Sequence, residues 1–391
     1  MATGDKIIVG SDLATEAKGY ADSIFHSINS AYGLRWNAST DVYTRVGDSD
    51  YTKIQREMKR CTVLDDGTVN YYLDASDSTK KEDGTDAVLD GTDGQVMVEI
   101  PQFYYRYVYV NGEHEWMISD QWFIGSKLHP AFLGRPKRYI GAYEADIVTV
   151  DDVDIMTSIS GTYPYCDKKI SDYRTLAKAR GTEWHVVDYN LMFAIQLLVM
   201  IEYGTMYLQD AIGMGRTQLS DGTWEDGSYY GQSGLSNSVG NGTGNAEYEG
   251  DADDAEADAA YMSYRGIENL YGNVWTMVEG VRFLDNVPYV SNNHMAWSDD
   301  LTTDFVCTGV KQPSHNGYGG DILPTDTGMF IANTNGSEST GTTDYYYQNS
   351  GLRILLFGAT ANGGSRAGAW RLACNWAVSA SDVYVGSRLA R

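Results

Sequence analysis

Apolar residues at Leu13, Ala17, Tyr20, Ala21, Ile24 and Ile28 recur at three- and four-residue steps, which predicts an amphipathic helix over Leu13 to Tyr32. Its apolar stripe needs a partner, either the rest of the chain or the same helix in other subunits. A second helical zone starts near Ser171. A stronger one runs from an Asp188 N-cap through Leu191, Ile195, Leu198 and Ile201 to a stop at Gly204. It is apolar nearly all round, which predicts a helix packed inside the core. Period-two alternation takes over at Val96, Val98 and Ile100 and, after Pro101, at Phe103, Tyr105, Tyr107 and Tyr109. Asn111-Gly112 then signals a type I′ hairpin, with a return strand over Glu115 to Phe123.

Elsewhere the pattern is interrupted. Between Trp36 and Asp93, turn pairs such as Asp66-Gly67, Asp83-Gly84 and Asp90-Gly91 predict loops with short strands. Residues 215 to 260 are rich in Gly, Asn, Ser and Asp and read as one long loop. A loop-rich stretch follows Trp275 up to Tyr347, and Gly351 to Arg391 reads as short apolar strands broken by Gly and Ser.

Composition adds three constraints. The 391 residues hold 29 Lys+Arg against 53 Asp+Glu, a formal charge of −24, so nucleic acid and other polyanions are disfavoured partners. With 42% apolar and 21% charged residues the chain has globular composition and should fold. Tyr, at 30 copies against 9 Phe and 9 Trp, suits half-wet recognition surfaces and also suits β-strands. The N-terminus carries acidic residues and no unbroken apolar run, so no secretory signal is expected. Leu191 to Ile201 is too short to span a bilayer, and no membrane insertion is expected.

Catalytic and metal chemistry find little material. The six histidines make no H-E-x-x-H, the four cysteines (Cys61, Cys166, Cys307 and Cys374) make no C-x-x-C, and no Gly-Lys-Ser/Thr follows the glycine-rich stretches. The acidic run Asp251, Asp253, Asp254, Glu256 and Asp258 reads as a solvated face or an irregular Ca²⁺ loop, since it lacks the alternation of an EF-hand. No cofactor, no metal and no enzymatic activity are expected.

Two segments are sharper. Tyr264 to Trp275 combines permissive Gly272, turn-capping Asn273 and a large Trp275. Gly363-Gly364-Ser365-Arg366 precedes Trp370 and Arg371, and the chain closes on Gly386-Ser387-Arg388. Both look like turns pinned inside an irregular core by Asn and Arg side chains.

Together these segments resemble the formylglycine-generating-enzyme superfamily with its C-type-lectin-like fold, and within it the phage tail-tip receptor-binding proteins of the major tropism determinant type, the variable proteins of diversity-generating retroelements. Val98 to Tyr105, Leu128 to Phe132, Tyr139 to Glu144 and Ile201 to Gly204 extend the resemblance over roughly residues 96 to 391. It implies an α+β, loop-rich fold with short antiparallel strands. Residues 1 to 95 would form an N-terminal helix and short-strand region for oligomerisation or fibre attachment, and 96 to 391 the lectin-like domain with a variable segment at 351 to 391. Scaffold roles carry over to Gly272, Asn273, Trp275, Gly364, Ser365, Asn375, Gly386 and Arg388.

The ligand-facing positions implied are Thr360, Ala361, Asn362, Arg366, Trp370, Arg371, Ala373, Trp376 and Tyr384, a mixture typical of binding surfaces. Trp370 and Trp376 also fit the simpler role of core aromatics. The implied protein is a homotrimer at the virion tail-fibre tip, made in the bacterial cytoplasm, meeting other tail-fibre proteins and a host-surface receptor that is protein or glycan. The enzyme branch needs a cysteine pair in the C-terminal block, where Cys374 stands alone. A Ca²⁺-dependent sugar-binding lectin and a purely structural tail protein are rival expectations.

Overall fold

The structure is a computed structural model that describes Lys18 and residues 30–219, 231–246 and 261–391. The helix expected over 13–32 falls, apart from Lys18 and residues 30–32, outside the described residues, and Tyr32 already opens a strand. The acidic run at 251–258 also lies outside them.

The Tyr189–Tyr203 helix runs through the centre. Asp188 caps it by accepting the Leu191 amide at 3.1 Å, and Gly204 ends it in the left-handed region at φ 71°. Every residue from Tyr189 to Ile201 is buried, as the lack of a polar face requires. The shorter Ile170–Ala179 helix buries one face through Ile170, Tyr173 and Ala177.

Three larger sheets surround the central helix. One has five antiparallel strands in the order Val42–Gly47, Tyr32–Asn37, Glu113–Ser119, Tyr104–Val110 and Lys127–Leu128. Its hairpin turns at Asn111 and Gly112, both at positive φ, as the dipeptide predicts. A second has six antiparallel strands: His185–Val186, Leu389–Ala390, Lys137–Gly141, Gln95–Pro101, Lys59–Val63 and Val69–Tyr72. The third carries the site and runs Val306–Cys307, Val287–Val290, Trp275–Leu284, Leu352–Gly358, Gly368–Trp376, Tyr345–Gln348 and Gly317–Tyr318, with Val385–Gly386 parallel to the start of Trp275–Leu284.

One apolar cluster draws side chains from all three sheets and the helix, among them Tyr32, Val98, Ile118, Leu198 and Leu355. Full burial of each such side chain contributes about 1.5–3 kcal/mol. The border expected at residue 95 does not separate two units. Tyr32–Asn37 pairs with Glu113–Ser119, and Lys59–Val63 pairs with Gln95–Pro101, so the described part of 1–95 is built into the same sheets as the rest of the chain.

The α+β, C-type-lectin-like class expected from the sequence gives way to a mainly β protein, 38% strand against 13% helix. The excess strand lies where loops were expected. Trp275–Leu284 is ten residues long, and a tight Asp285-Asn286 turn, both residues at positive φ, returns the chain into Val287–Val290. Asp321–Thr325 pairs with Gly328–Asn333, and Gly244–Ala246 inside the supposed 215–260 loop pairs with Tyr261–Tyr264.

Candidate functional site

The turn before Trp275 is the fixed part. Gly272 sits at φ 89°, and a Cβ there would meet the Arg216 carbonyl oxygen at 2.6 Å, so no other residue fits without displacing backbone. Asn273 follows at φ 60°, fully buried. Its side chain donates to the Glu144 carboxylate and accepts the Gly231 amide at 3.0 Å. Its backbone donates to Arg216 O at 2.8 Å and accepts Ala361 N at 2.9 Å. One residue thus ties the turn to Glu144 and to the 359–366 loop.

Arg388 completes this frame from the other side. Its guanidinium donates to the carbonyls of Gly141, Ala142, Glu268 and Asn269 at 2.7–3.2 Å. Burial pushes the Glu144 carboxyl up to about 7, against the opposing pull of Arg388 and Asn273. Gly386 fits where a Cβ would press on Val274 and Cys166 at 3.2 and 3.4 Å.

The opposite side of the site begins in the Gly368–Trp376 strand. Period-two alternation sends Trp370, Leu372 and Cys374 into the central core and Arg371 and Ala373 to the opposite face. Opposite Leu352–Gly358 the register slips: Ala373 pairs with Leu356 but Trp376 with Ile354, one residue more than the partner strand supplies. This bulge turns Trp376 back to the Ala373 face.

There the side chains line an open cavity of about 220 Å³, formed by Trp275, Tyr347, Thr360, Asn362, Arg366, Arg371, Ala373, Asn375, Trp376 and Tyr384. Seven of the nine residues expected to face a ligand therefore converge on one site. The other two do not. Trp370 is wholly buried in the central core, because it alternates with Arg371 on the same strand. Ala361 is buried against Leu219 and Tyr384, held by the Asn273 carbonyl. Among the scaffold positions, Gly364 and Ser365 form a short turn at the loop tip, with Ser365 exposed. Trp275 and Asn375, expected as scaffold, are also walls of the cavity.

Tyr347, outside the 351–391 segment, is a further wall that the sequence does not single out. Tyr345-Tyr346-Tyr347 alternates on its strand, with Tyr346 buried, so the outer two tyrosines share the other face and lie in contact with ring centroids 4.8 Å apart. That triplet was the available signal.

The electrostatics of the cavity are one-sided. Arg371 is 4% exposed, lies over Trp275 at 4.7 Å and Tyr347 at 5.6 Å, and makes one side-chain hydrogen bond, from Nη1 to Gly363 O at 3.2 Å. Its Nε has no partner among the described residues. Arg366 reaches the Tyr347 hydroxyl at 3.4 Å. Neither arginine has a carboxylate within ion-pair distance among the described residues, whereas Arg138, Arg174, Arg265 and Arg282 all do. The nearest acid, Asp344, accepts the Trp370 amide at 2.7 Å, and burial raises its carboxyl to about 8. At neutral pH it is mostly uncharged. Burial lowers Arg371 to about 10, which leaves it cationic.

No family model and no curated protein matches the chain. The thiols occupy separate environments. Cys374 is buried and accepts a hydrogen bond from Gln312 at 3.7 Å, while Cys307 is exposed. The sheet order places them four strands apart, roughly 19 Å at about 4.8 Å per strand. Among the described residues no helix is long and apolar enough to cross a membrane.

Proposed function

We propose that the protein is a receptor-binding protein of a phage tail tip that adheres to the host surface through the 220 Å³ cavity. The observation that carries this reading is the convergence of seven ligand-facing candidates from the C-terminal segment on one concave, aromatic and cationic site. The backbone beneath them is fixed by Asn273, Glu144 and Arg388. Side chains at the cavity can change while the frame holds, which is what a diversified binding surface needs. The wide separation of Cys307 and Cys374 weighs against the oxygen-dependent enzyme.

Assembly as a homotrimer beside other tail-fibre proteins would raise the effective concentration of each site at a surface, so modest single-site affinity suffices. Light scattering tests the trimer. The function itself is tested by adsorption of purified protein to host cells: Trp376→Ala and Tyr384→Ala should weaken it roughly thirtyfold or more while changing melting little. Normal adsorption of both variants would sink the proposal. A reverse-transcriptase gene beside a near-copy of the 351–391 coding segment, differing at adenines, is the genomic counterpart of that test.

A further inference from the structure

The cavity contains a charge that has no counter-ion among the described residues. Arg60, equally buried, donates to Gly266 O, Ser78, Ser236 and Asn237, and Arg388 is shared among four carbonyls. Arg371 has one such bond. Its Nε–Nη2 edge, the edge that takes a carboxylate through two parallel bonds, donates to no acceptor among the described residues. Asn375 Oδ1, another wall atom, is likewise buried without a donor. A buried cation in this state is costly unless something else completes it. Asp344 does not: it accepts the Trp370 amide at 2.7 Å and makes no ion pair with Arg371.

Resting on the adhesion reading, we propose that the cavity takes an acidic sugar: one pyranose-sized ring whose carboxylate pairs with the Nε–Nη2 edge of Arg371. The remaining walls fit the rest of such a ring. Trp376 and Tyr384, packed edge to face at 6.2 Å, offer apolar surface to its C–H face. Thr360, Asn362 and Asn375 offer hydroxyl and amide groups to its hydroxyls. A bare aspartate or glutamate side chain of a peptide would satisfy the arginine and leave the aromatic walls uncovered. The volume suits one residue rather than a chain, and the −24 charge of the protein repels a polyanion, so a single acidic residue at a glycan terminus is the fitting ligand.

The test is calorimetric or NMR titration of the intact protein with glucuronate, galacturonate and N-acetylneuraminate, against glucose and galactose. At least one acidic sugar should bind about tenfold or more tighter than the neutral ones. Arg371→Gln should erase that preference. Asn375→Asp, which keeps the size of the side chain, sets a carboxylate inside the cavity and should weaken the acidic sugar by more than any neutral one. Equal binding of acidic and neutral sugars, no saturable binding of any acidic sugar, or an unchanged preference in Asn375→Asp overturns the inference. So does competition by a glutamate-rich peptide but not by the sugars. Adsorption separates this from the parent reading. If Trp376→Ala weakens adsorption yet acidic sugars neither bind nor compete, the sugar is wrong and adhesion stands. If acidic sugars bind but Trp376→Ala adsorbs normally, adhesion through this cavity is wrong.

Discussion

Arg388 and Arg371 lie in the same C-terminal segment and are almost equally buried, at 2% and 4% exposure, yet one is saturated and the other is not. Arg388 holds four carbonyls from two separate turns and so welds Gly141-Ala142 to Glu268-Asn269. Arg371 lies between two aromatic rings with one carbonyl and a bare edge. Burial alone therefore does not separate these two arginines; the number of their hydrogen-bond partners does.

The largest expected effect comes from breaking the frame. Arg388→Met removes a donor from each of four buried carbonyls, of which Ala142 O keeps the Glu268 amide, and leaves Glu144 without its nearby cation; it should cost about 3–5 kcal/mol of unfolding free energy in denaturant melts. Glu144 adds a pH signature. Its carboxyl ionises near its usual 4.5 when unfolded but only at about 7 when folded, so between those values the folded state binds more protons. Stability should fall as pH rises from 4.5 to 7 and then level, and Glu144→Gln should flatten that part of the curve.

Next in size is the opposite dissociation, at the cavity wall. Trp376→Ala or Tyr384→Ala should weaken host-cell adsorption by about 2 kcal/mol or more, roughly thirtyfold, with little change in melting. Trp275 is the position that blurs the comparison. It belongs to the pinned turn and also carries the Arg371 guanidinium on its face, so Trp275→Ala should lower both melting temperature and adsorption.

Arg371 itself should show a gain. Arg371→Met removes a buried cation that has a single hydrogen bond and keeps the aromatic packing, so unfolding free energy should rise by about 1 kcal/mol while binding is lost. A loss of several kcal/mol instead would make Arg371 part of the frame and dissolve the contrast with Arg388.

The parts of the molecule differ in how far the sequence signals them. The central helix announced itself because an all-round apolar run with an Asp cap and a Gly stop has one physical outcome. The Asn111-Gly112 hairpin did so because both residues accept positive φ. Trp275–Leu284 stayed hidden because it buries Glu279 and Arg282, an ion pair at 2.9 Å, in a strand whose polar positions therefore look exposed. The cavity was half legible. Alternation already forbids Trp370 and Arg371 from facing the same way, but the bulge that returns Trp376 to the Arg371 side depends on the partner strand at Ile354 and Leu356, which no local pattern encodes. That Arg371 has no counter-ion among the described residues was not legible at all, since it is a property of what surrounds the side chain in space.

The smallest expected effect concerns that surrounding. Asp344 is fixed to the Trp370 amide of the Gly368–Trp376 strand and stays mostly neutral until about pH 8 because burial opposes its charge. The charged groups nearest Arg371 are Arg366, which repels it, and Asp344, which attracts it only once ionised. Below pH 8 an acidic sugar is the stronger claimant for the guanidinium. Above it, Asp344 supplies an internal negative charge that repels the sugar carboxylate and partly neutralises the arginine. Affinity for the acidic sugar identified by titration should therefore fall a few-fold between about pH 7 and pH 9, with the neutral sugars unaffected. Asp344→Asn keeps a carbonyl oxygen for the Trp370 amide and cannot ionise, so its affinity should stay level over the same range. A wild-type curve that is flat, or a fall that persists in Asp344→Asn, would show that the two buried groups do not compete for Arg371.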